Sequence, residues 1–409
     1  MANKTIFESN RTVMLKHDTA DEAALAQYAC VGTLNDTFYV DAKTQTDRVL
    51  DLAKKVSPEF LAKLAVYSRE NAYMKDMPAF LLAVLSTRDV SLFKKVFPRV
   101  IDNGKMLRNF VQIMRSGVVG RKSLGSAPKK MILEWLASRT PQQIFNDSVG
   151  NSPSMADIIR MVHPTPETEE RMATYRYLIG RELTDAHKAA LPAEIRAFEA
   201  FKKDNTLPVP KVPLQMLAGL PLTDAHWEEI AKNADRLSSE QEVKRAKAFP
   251  YQLLAAYMNA DSKVPTKVTN ALQQAMEHAV HNVPTYKGKV YVMIDVSGSM
   301  GSSVTGYRAG ASSKVACKDV GALVAAAVLR KNPDAEVILF HTRAWFEKLN
   351  AFDSVMTNAA KIMQAPGGGT DCGAAVKLLN DTKKTGDLII MVSGQRVMDA
   401  QLPCPQSCQ

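Results

Sequence analysis

Lys289-Val290-Tyr291-Val292-Met293-Ile294-Asp295-Val296-Ser297-Gly298-Ser299 is the stretch that decides the fold. Its first part is a continuous apolar run rich in β-branched residues, the pattern of a strand buried on both faces. It ends on an aspartate followed by two serines at alternate positions. Downstream the pattern alternates: helical over 313–330, strand-like over 335–340, helical over 355–363 and a strand over 388–392. Such alternation predicts an open, mostly parallel α/β sheet. In sheets of this kind ligands sit at the carboxyl ends of strands near a switch in strand order, which is where Asp295 falls. Asp295, Ser297 and Ser299 put three hard oxygen donors on one turn, and Gly367-Gly368-Gly369-Thr370-Asp371 is a flexible loop able to bring Thr370 to the same place. These donors suit Mg²⁺ or a similar divalent cation. The plainer alternative is a serine- and glycine-rich turn that caps the next helix.

Upstream of a linker at 282–288 the pattern changes. Residues 43–280 read as successive amphipathic helices with short breaks, among them 46–56, 58–71, 78–85, 91–97, 142–145, 155–162, 167–178 and 194–201. Phe60, Leu61, Leu64, Ala65 and Tyr67 show the three- and four-residue spacing, and Ser57 before Pro58 reads as an N-cap with proline at the first helical position. Repeated short helices with almost no strand signal predict a HEAT-like helical-repeat array. The chain is therefore expected to be mainly α, with domains at 1–283 and 284–409.

With 409 residues, 46% hydrophobic and 23% charged, disorder is excluded as the main state. The longest uncharged apolar run, 320–329, falls short of the roughly 18 residues of a membrane span, and residues 1–9 carry no apolar signal-peptide core. Cys30, Cys317, Cys372, Cys404 and Cys408 are odd in number and scattered, which argues for a reducing interior. A cytoplasmic, monomeric protein is expected. The net charge of +10 is concentrated. Lys105, Arg108, Arg115, Arg121, Lys122, Lys129, Lys130 and Arg139 lie within one segment whose single acid is Glu134. A patch like this suits a polyanion, although on charge alone a solvated helix face serves equally well. Arg115, Arg121, Lys122, Lys129 and Lys130 are donors for phosphate, and Gly117, Gly120 and Gly125 let the backbone approach closely. Such contacts favour shape and single strands over sequence. Ser123 and Ser126 either contact phosphate or cap the helix running from Pro128. Trp135 and Phe110 follow helical periodicity and are expected in the core rather than as stacking platforms. There is no G-x-x-x-x-G-K-[ST] loop, no H-E-x-x-H and no zinc spacing, and Glu167, Glu169 and Glu170 read as helix-start acids. The chain is expected to be noncatalytic.

Residues 289–393 resemble a von Willebrand factor A domain, with Asp295, Ser297, Ser299 and Thr370 matching its metal-ion-dependent adhesion site. The resemblance implies a bound divalent cation, Mg²⁺. Two features depart from the family. Gly394 stands where an aspartate commonly follows the fourth strand's Ser or Thr, and the tail 402–409 does not read as the final strand and helix, so a C-terminally shortened domain is expected. Further upstream, Arg115-Ser116-Gly117-Val118-Val119-Gly120-Arg121-Lys122-Ser123-Leu124-Gly125-Ser126-Ala127-Pro128-Lys129-Lys130 resembles the basic stretch of TROVE-domain proteins, the Ro autoantigen family. So do Asp157-Ile158-Ile159-Arg160-Met161-Val162-His163-Pro164 and Lys211-Val212-Pro213. That family joins a helical-repeat ring to a von Willebrand A domain. The resemblance implies an RNA-binding ring that carries small noncoding Y RNAs on a basic outer surface. It also implies that single-stranded 3′ ends of misfolded RNAs enter a central hole, for RNA quality control, and that in bacteria a Y RNA tethers the ring to a 3′-to-5′ exonuclease, polynucleotide phosphorylase. Together, the basic cluster and the resemblance give the expected RNA contacts as Arg108, Arg115, Arg121, Lys122, Ser123, Lys129, Lys130, Arg160 and His163. For His163 the alternative is a helix-terminal histidine before Pro164. The rival reading of the whole chain is a metal-dependent protein-adhesion scaffold acting through the A-type domain.

Overall fold

Self-capped short helices build the N-terminal half. The computed structural model describes residues 20–32, 34, 41–217, 220–232, 234–246, 250–260, 264–280, 283–304 and 314–394. In it, α1 (Ala20–Val31), α2 (Ala42–Lys55), α3 (Pro58–Glu70), α4 (Asp76–Arg88), α5 (Val90–Val100) and α6 (Gly104–Ser116) follow in order. Side chains set several starts. Ser57 accepts the Phe60 N–H at 3.1 Å just ahead of Pro58, Asp89 accepts that of Leu92 at 2.9 Å, and Asn103 that of Met106 at 3.0 Å. Each such cap contributes about 1 kcal/mol. The series continues with α7 (Ser126–Ala137), α8 (Pro141–Asn146), α9 (Met155–Val162), α10 (Glu169–Leu178), α11 (Asp185–Ala190), α12 (Ala193–Lys203) and α13 (Leu214–Leu217).

The apolar faces of α1–α10 share a core in which Phe80, Phe93, Phe97 and Phe110 are fully buried. Phe93, Phe97 and Phe110 meet at centroid distances of 5.5–5.9 Å. Burying each ring contributes about 1.5–3 kcal/mol. Trp135 is buried too, so the expectation that it and Phe110 serve the core is borne out. The Trp135 indole donates to the Ile101 carbonyl at 2.8 Å, and the Arg139 guanidinium lies over its ring at 4.7 Å while donating to the Asp102 carbonyl at 2.5 Å. Buried Arg69 grips the Asp102 carboxylate from the other side, with its shortest contact at 2.9 Å. This knot at 101–103 fixes the corner from which α6 starts.

The chain divides into two compact units between His226 and Trp227, within α14 (Asp224–Lys232) and ahead of the change from helix to strand. The second unit holds α15 (Ala234–Leu237), α16 (Glu240–Ala246), α17 (Pro250–Asn259) and α18 (Thr266–Ala279) together with the sheet region. Leu254 of α17 and Met276 of α18 join Val290, Val292 and Ile294 of β1 (Val290–Asp295) in one apolar core. Tyr291 and Met293 point to the opposite core, so every residue of β1 is buried, as its uninterrupted apolar run predicts. After β1 come α19 (Cys317–Lys331), β2 (Glu336–Phe340), β3 (Ala344–Glu347), α20 (Val355–Met363), α21 (Gly373–Asp381) and β4 (Leu388–Val392). The sheet order is β3-β2-β1-β4, with β1 parallel to β2 and β4, and β3 antiparallel to β2. The α/β expectation is borne out, with two additions. β3 is a four-residue hairpin arm, too short for the periodic signal, and α21 follows a glycine-rich loop that obscures its start. The expected helix from 313 begins at Cys317, and Ser313 lies outside the described residues, as do Cys404, Cys408 and the tail 402–409. Among the described residues no helix is long and apolar enough to cross a membrane.

Candidate functional site

In the helical unit, the C-terminal end of α6, the 117–125 loop, the start of α7 and one residue of α9 enclose a groove of about 390 Å³. Its cationic wall is Arg115, Lys122 and Lys129, its hydroxyls are Ser123 and Ser126, and Leu124 and Met161 give it an apolar side. Backbone conformation makes the loop possible. Gly117 ends α6 at φ +86° and Gly125 precedes α7 at φ +76°, ψ 170°, regions open to glycine and costly for other residues. Gly125 has no side chain to cap α7, so Ser126 opens the helix instead of capping it, and the N–H groups of Ser126 and Ala127, ahead of Pro128, have no side-chain cap. A helix N-terminus with uncapped N–H groups, nearby cations and hydroxyls is equipped to hold phosphate oxygens.

Other basic residues expected to contact RNA point elsewhere. Arg121 turns inward, where its Nη2 donates to Ser86 Oγ of α4 at 2.8 Å. Arg108 donates through Nη1 to the Asp147 carbonyl at 2.6 Å, and burial lowers its pKa against the opposing pull of Asp147. Lys130 is exposed one turn before Glu134, at 3.9 Å. Arg160 donates to the Ile179 carbonyl at 2.5 Å and lies 3.5 Å from Asp157. His163 closes α9 in the left-handed region at φ 51°, its N–H donating to the Ile159 carbonyl at 3.0 Å, with its ring exposed. Of the nine expected residues, the groove gathers Arg115, Lys122, Ser123 and Lys129. Met161, between Arg160 and His163, is the groove residue that charge-based reading passes over. Only its placement in the same motif marks it. The Asp157 carboxyl is held below the ordinary range by Ser154 hydrogen bonds and further by Arg160 and Arg115.

In the sheet unit three of the four expected oxygen donors, Asp295, Ser297 and Ser299, lie together on one turn. The fully buried Asp295 carboxylate accepts the Ser297 N–H at 2.8 Å through Oδ1 and the Ser393 hydroxyl at 2.7 Å through Oδ2. The Ser297 and Ser299 hydroxyl oxygens lie 3.2 Å apart. The glycine loop reaches this turn, because Gly298 N–H donates to the Gly368 carbonyl at 2.8 Å. Thr370 follows two residues later, and its hydroxyl makes no hydrogen bond among the described residues. Ser393, the serine after the fourth strand, was not among the expected oxygen donors. β4 lies directly beside β1 with Val392 opposite Ile294, so the residue after β4 comes to the aspartate. The donors are all hard oxygens on one turn, and in that respect they fit a small divalent cation. Among the described residues no group of three or more His, Cys, Asp or Glu side chains could hold a metal.

The chain thus joins a multi-helical unit bearing a basic groove to an α/β unit with an Asp-x-Ser-x-Ser turn. Residues 289–406 match the family model described as the Ro60 vWA domain. The chain is 21% identical over 420 residues to the RNA-binding protein RO60 of Deinococcus radiodurans, covering 88% of this chain and 78% of that protein. It also matches the crystal structure of the D. radiodurans Ro protein with a TM-score of 0.54 at 18% identity, over 91% of this chain and 86% of that one. The resemblance to the Ro family read from the sequence is thereby borne out.

Proposed function

We propose that this chain is a noncatalytic RNA-binding protein of Ro ribonucleoproteins. Its ligands are small noncoding Y-type RNAs, held on the basic surface, and single-stranded 3′ ends of misfolded RNAs, taken into the cavity of a HEAT-like ring. The proposed outcome is RNA quality control or degradation, in the cytoplasm, with a 3′-to-5′ exoribonuclease such as polynucleotide phosphorylase as partner and the protein acting as a monomer. The observation that carries the RNA reading is the groove, in which Arg115, Lys122 and Lys129 face one open space beside the start of α7. Three cations along one groove match a phosphate backbone and read no particular base. Its agreement with a relative named as an RNA-binding protein supports the same reading.

The second reading, metal-dependent adhesion, is favoured by the Asp295, Ser297, Ser299 cluster. Those residues with Thr370 would hold Mg²⁺, and the cation would offer an open coordination position to an acidic side chain of a partner protein. One experiment separates the two. Anisotropy of a structured RNA with a single-stranded 3′ tail is measured for wild type and Lys122→Glu/Lys129→Glu, with and without EDTA. Tight binding that survives EDTA and falls at least about tenfold in the double variant is expected. No RNA binding at low salt would overturn the RNA reading and leave the adhesion reading to be tested by chelator.

A further inference from the structure

The sheet unit has a second cavity, of about 400 Å³, between one face of β3 and the end of α20. Because side chains alternate along a strand, Arg343, Trp345 and Glu347 share that face, and Lys361, Gln364 and Pro366 form the opposite wall. The Trp345 indole N–H donates to Glu347 Oε2 at 3.1 Å, which fixes the ring and satisfies its single donor. His341 packs edge-on against the same ring at 5.4 Å. Arg343 is exposed, and its guanidinium has no partner among the described residues. Lys361 is held 2.9 Å from Asp353, on the loop before α20.

We propose that this cavity is a nucleotide pocket, in which Trp345 stacks one unpaired base, Glu347 and Gln364 meet its hydrogen-bonding edge, and Arg343 holds the phosphate. A fixed aromatic plane beside a free guanidinium suits a base joined to a phosphate, and the volume lies within the range of small-molecule sites. The Glu347 carboxylate can accept from exocyclic amino groups of bases. The inference deepens the RNA reading and rests on it for the source of the ligand, with the chemistry resting on the pocket's own side chains. A free nucleotide would present the same groups.

The test uses the full chain. AMP, CMP, GMP and UMP are titrated separately by calorimetry and by tryptophan fluorescence, and single-stranded oligoribonucleotides are then added as competitors. At least one monophosphate is expected to bind with quenching. Trp345→Ala is expected to weaken it at least about fivefold, Trp345→Phe to retain most of it, and Arg343→Glu, an exposed change, to weaken it in a protein with unchanged melting temperature. Competition by oligonucleotides marks RNA as the source, and absence of competition marks free nucleotide. The proposal is overturned if no monophosphate binds at millimolar concentration, if Trp345→Ala and Arg343→Glu bind as wild type does, or if an acidic peptide occupies the site instead. RNA binding that persists without monophosphate binding removes this pocket alone. Monophosphate binding without any RNA binding removes the RNA reading alone.

Discussion

Arg108, Arg121 and Arg139 each give the guanidinium to an oxygen of their own unit, whereas Arg115, Lys122 and Lys129 stay at the groove. The division follows from side-chain chemistry. The two lysines, strongly hydrated ammonium groups, favour the surface. The guanidinium of an arginine serves either place and turns inward where a helix or corner offers an oxygen, as for Arg108, Arg121 and Arg139 but not Arg115. Arg121→Glu should therefore act through the fold. Replacing the partner of Ser86 with a carboxylate is expected to cost about 1–3 kcal/mol, read as a lower denaturant midpoint, while Lys122→Glu stays within about 0.5 kcal/mol of wild type. Lys75 gives a second residue-scale prediction. Burial first, then the charges of Lys105 and Arg69, push its pKa down to about 8, with Asp76 and Asp102 opposing. Its folded value lies below the unfolded one, so its stability is present above about pH 10.4 and lost as pH falls through about 8. Lys75→Met is expected to raise stability at pH 7 by on the order of 2 kcal/mol and to flatten the rise between pH 8 and 10, measured by thermal melts across that range. The basic cluster was legible in the sequence because charge is local. Which cations face outward was not, since Ser86 and Asp147 reach Arg121 and Arg108 only once separate helices pack.

Among the elements, β1 is the most legible, because burial on both faces leaves a continuous apolar run that no surface strand carries. The turn after it was equally readable, with Asp295, Ser297 and Ser299 brought together as expected. That Ser393 donates to Asp295 was not legible, because its place depends on β4 pairing with β1, a long-range fact that spacing along the chain does not contain. β3 escaped for a different reason, being four residues long and joined to β2 by a tight turn. In the helical unit the loop between α6 and α7 depends on Gly117 and Gly125. A Cβ on Gly125 would sit 3.2 Å from Arg121 Nη1, besides requiring a backbone region nearly confined to glycine. Gly125→Ala is expected to cost about 1–3 kcal/mol and to shift the start of α7, lowering RNA affinity along with the melting temperature. Ser123→Ala at the same groove should leave the melting temperature unchanged.

For the whole molecule, two compact units carry two different kinds of site. One is a cationic groove on helices, the other a hard-oxygen turn with a neighbouring aromatic pocket on a sheet. Electrostatic attraction between a positive groove and a polyanion is screened by salt, whereas a bound cation in an oxygen cage is removed by chelation. The two units should respond independently. Asp295→Ala is expected to abolish any Mg²⁺-dependent change in melting temperature and to leave the salt dependence of RNA binding intact. The most direct measurement is the slope of log affinity against log salt for a single-stranded RNA tail, in EDTA, for wild type and Lys122→Glu/Lys129→Glu. A steep wild-type slope is expected, shallower in the double variant by about 0.7 for each lost phosphate contact, or about 1.4 in all. Equal slopes in the two proteins, or binding indifferent to salt, would contradict the groove as the RNA interface.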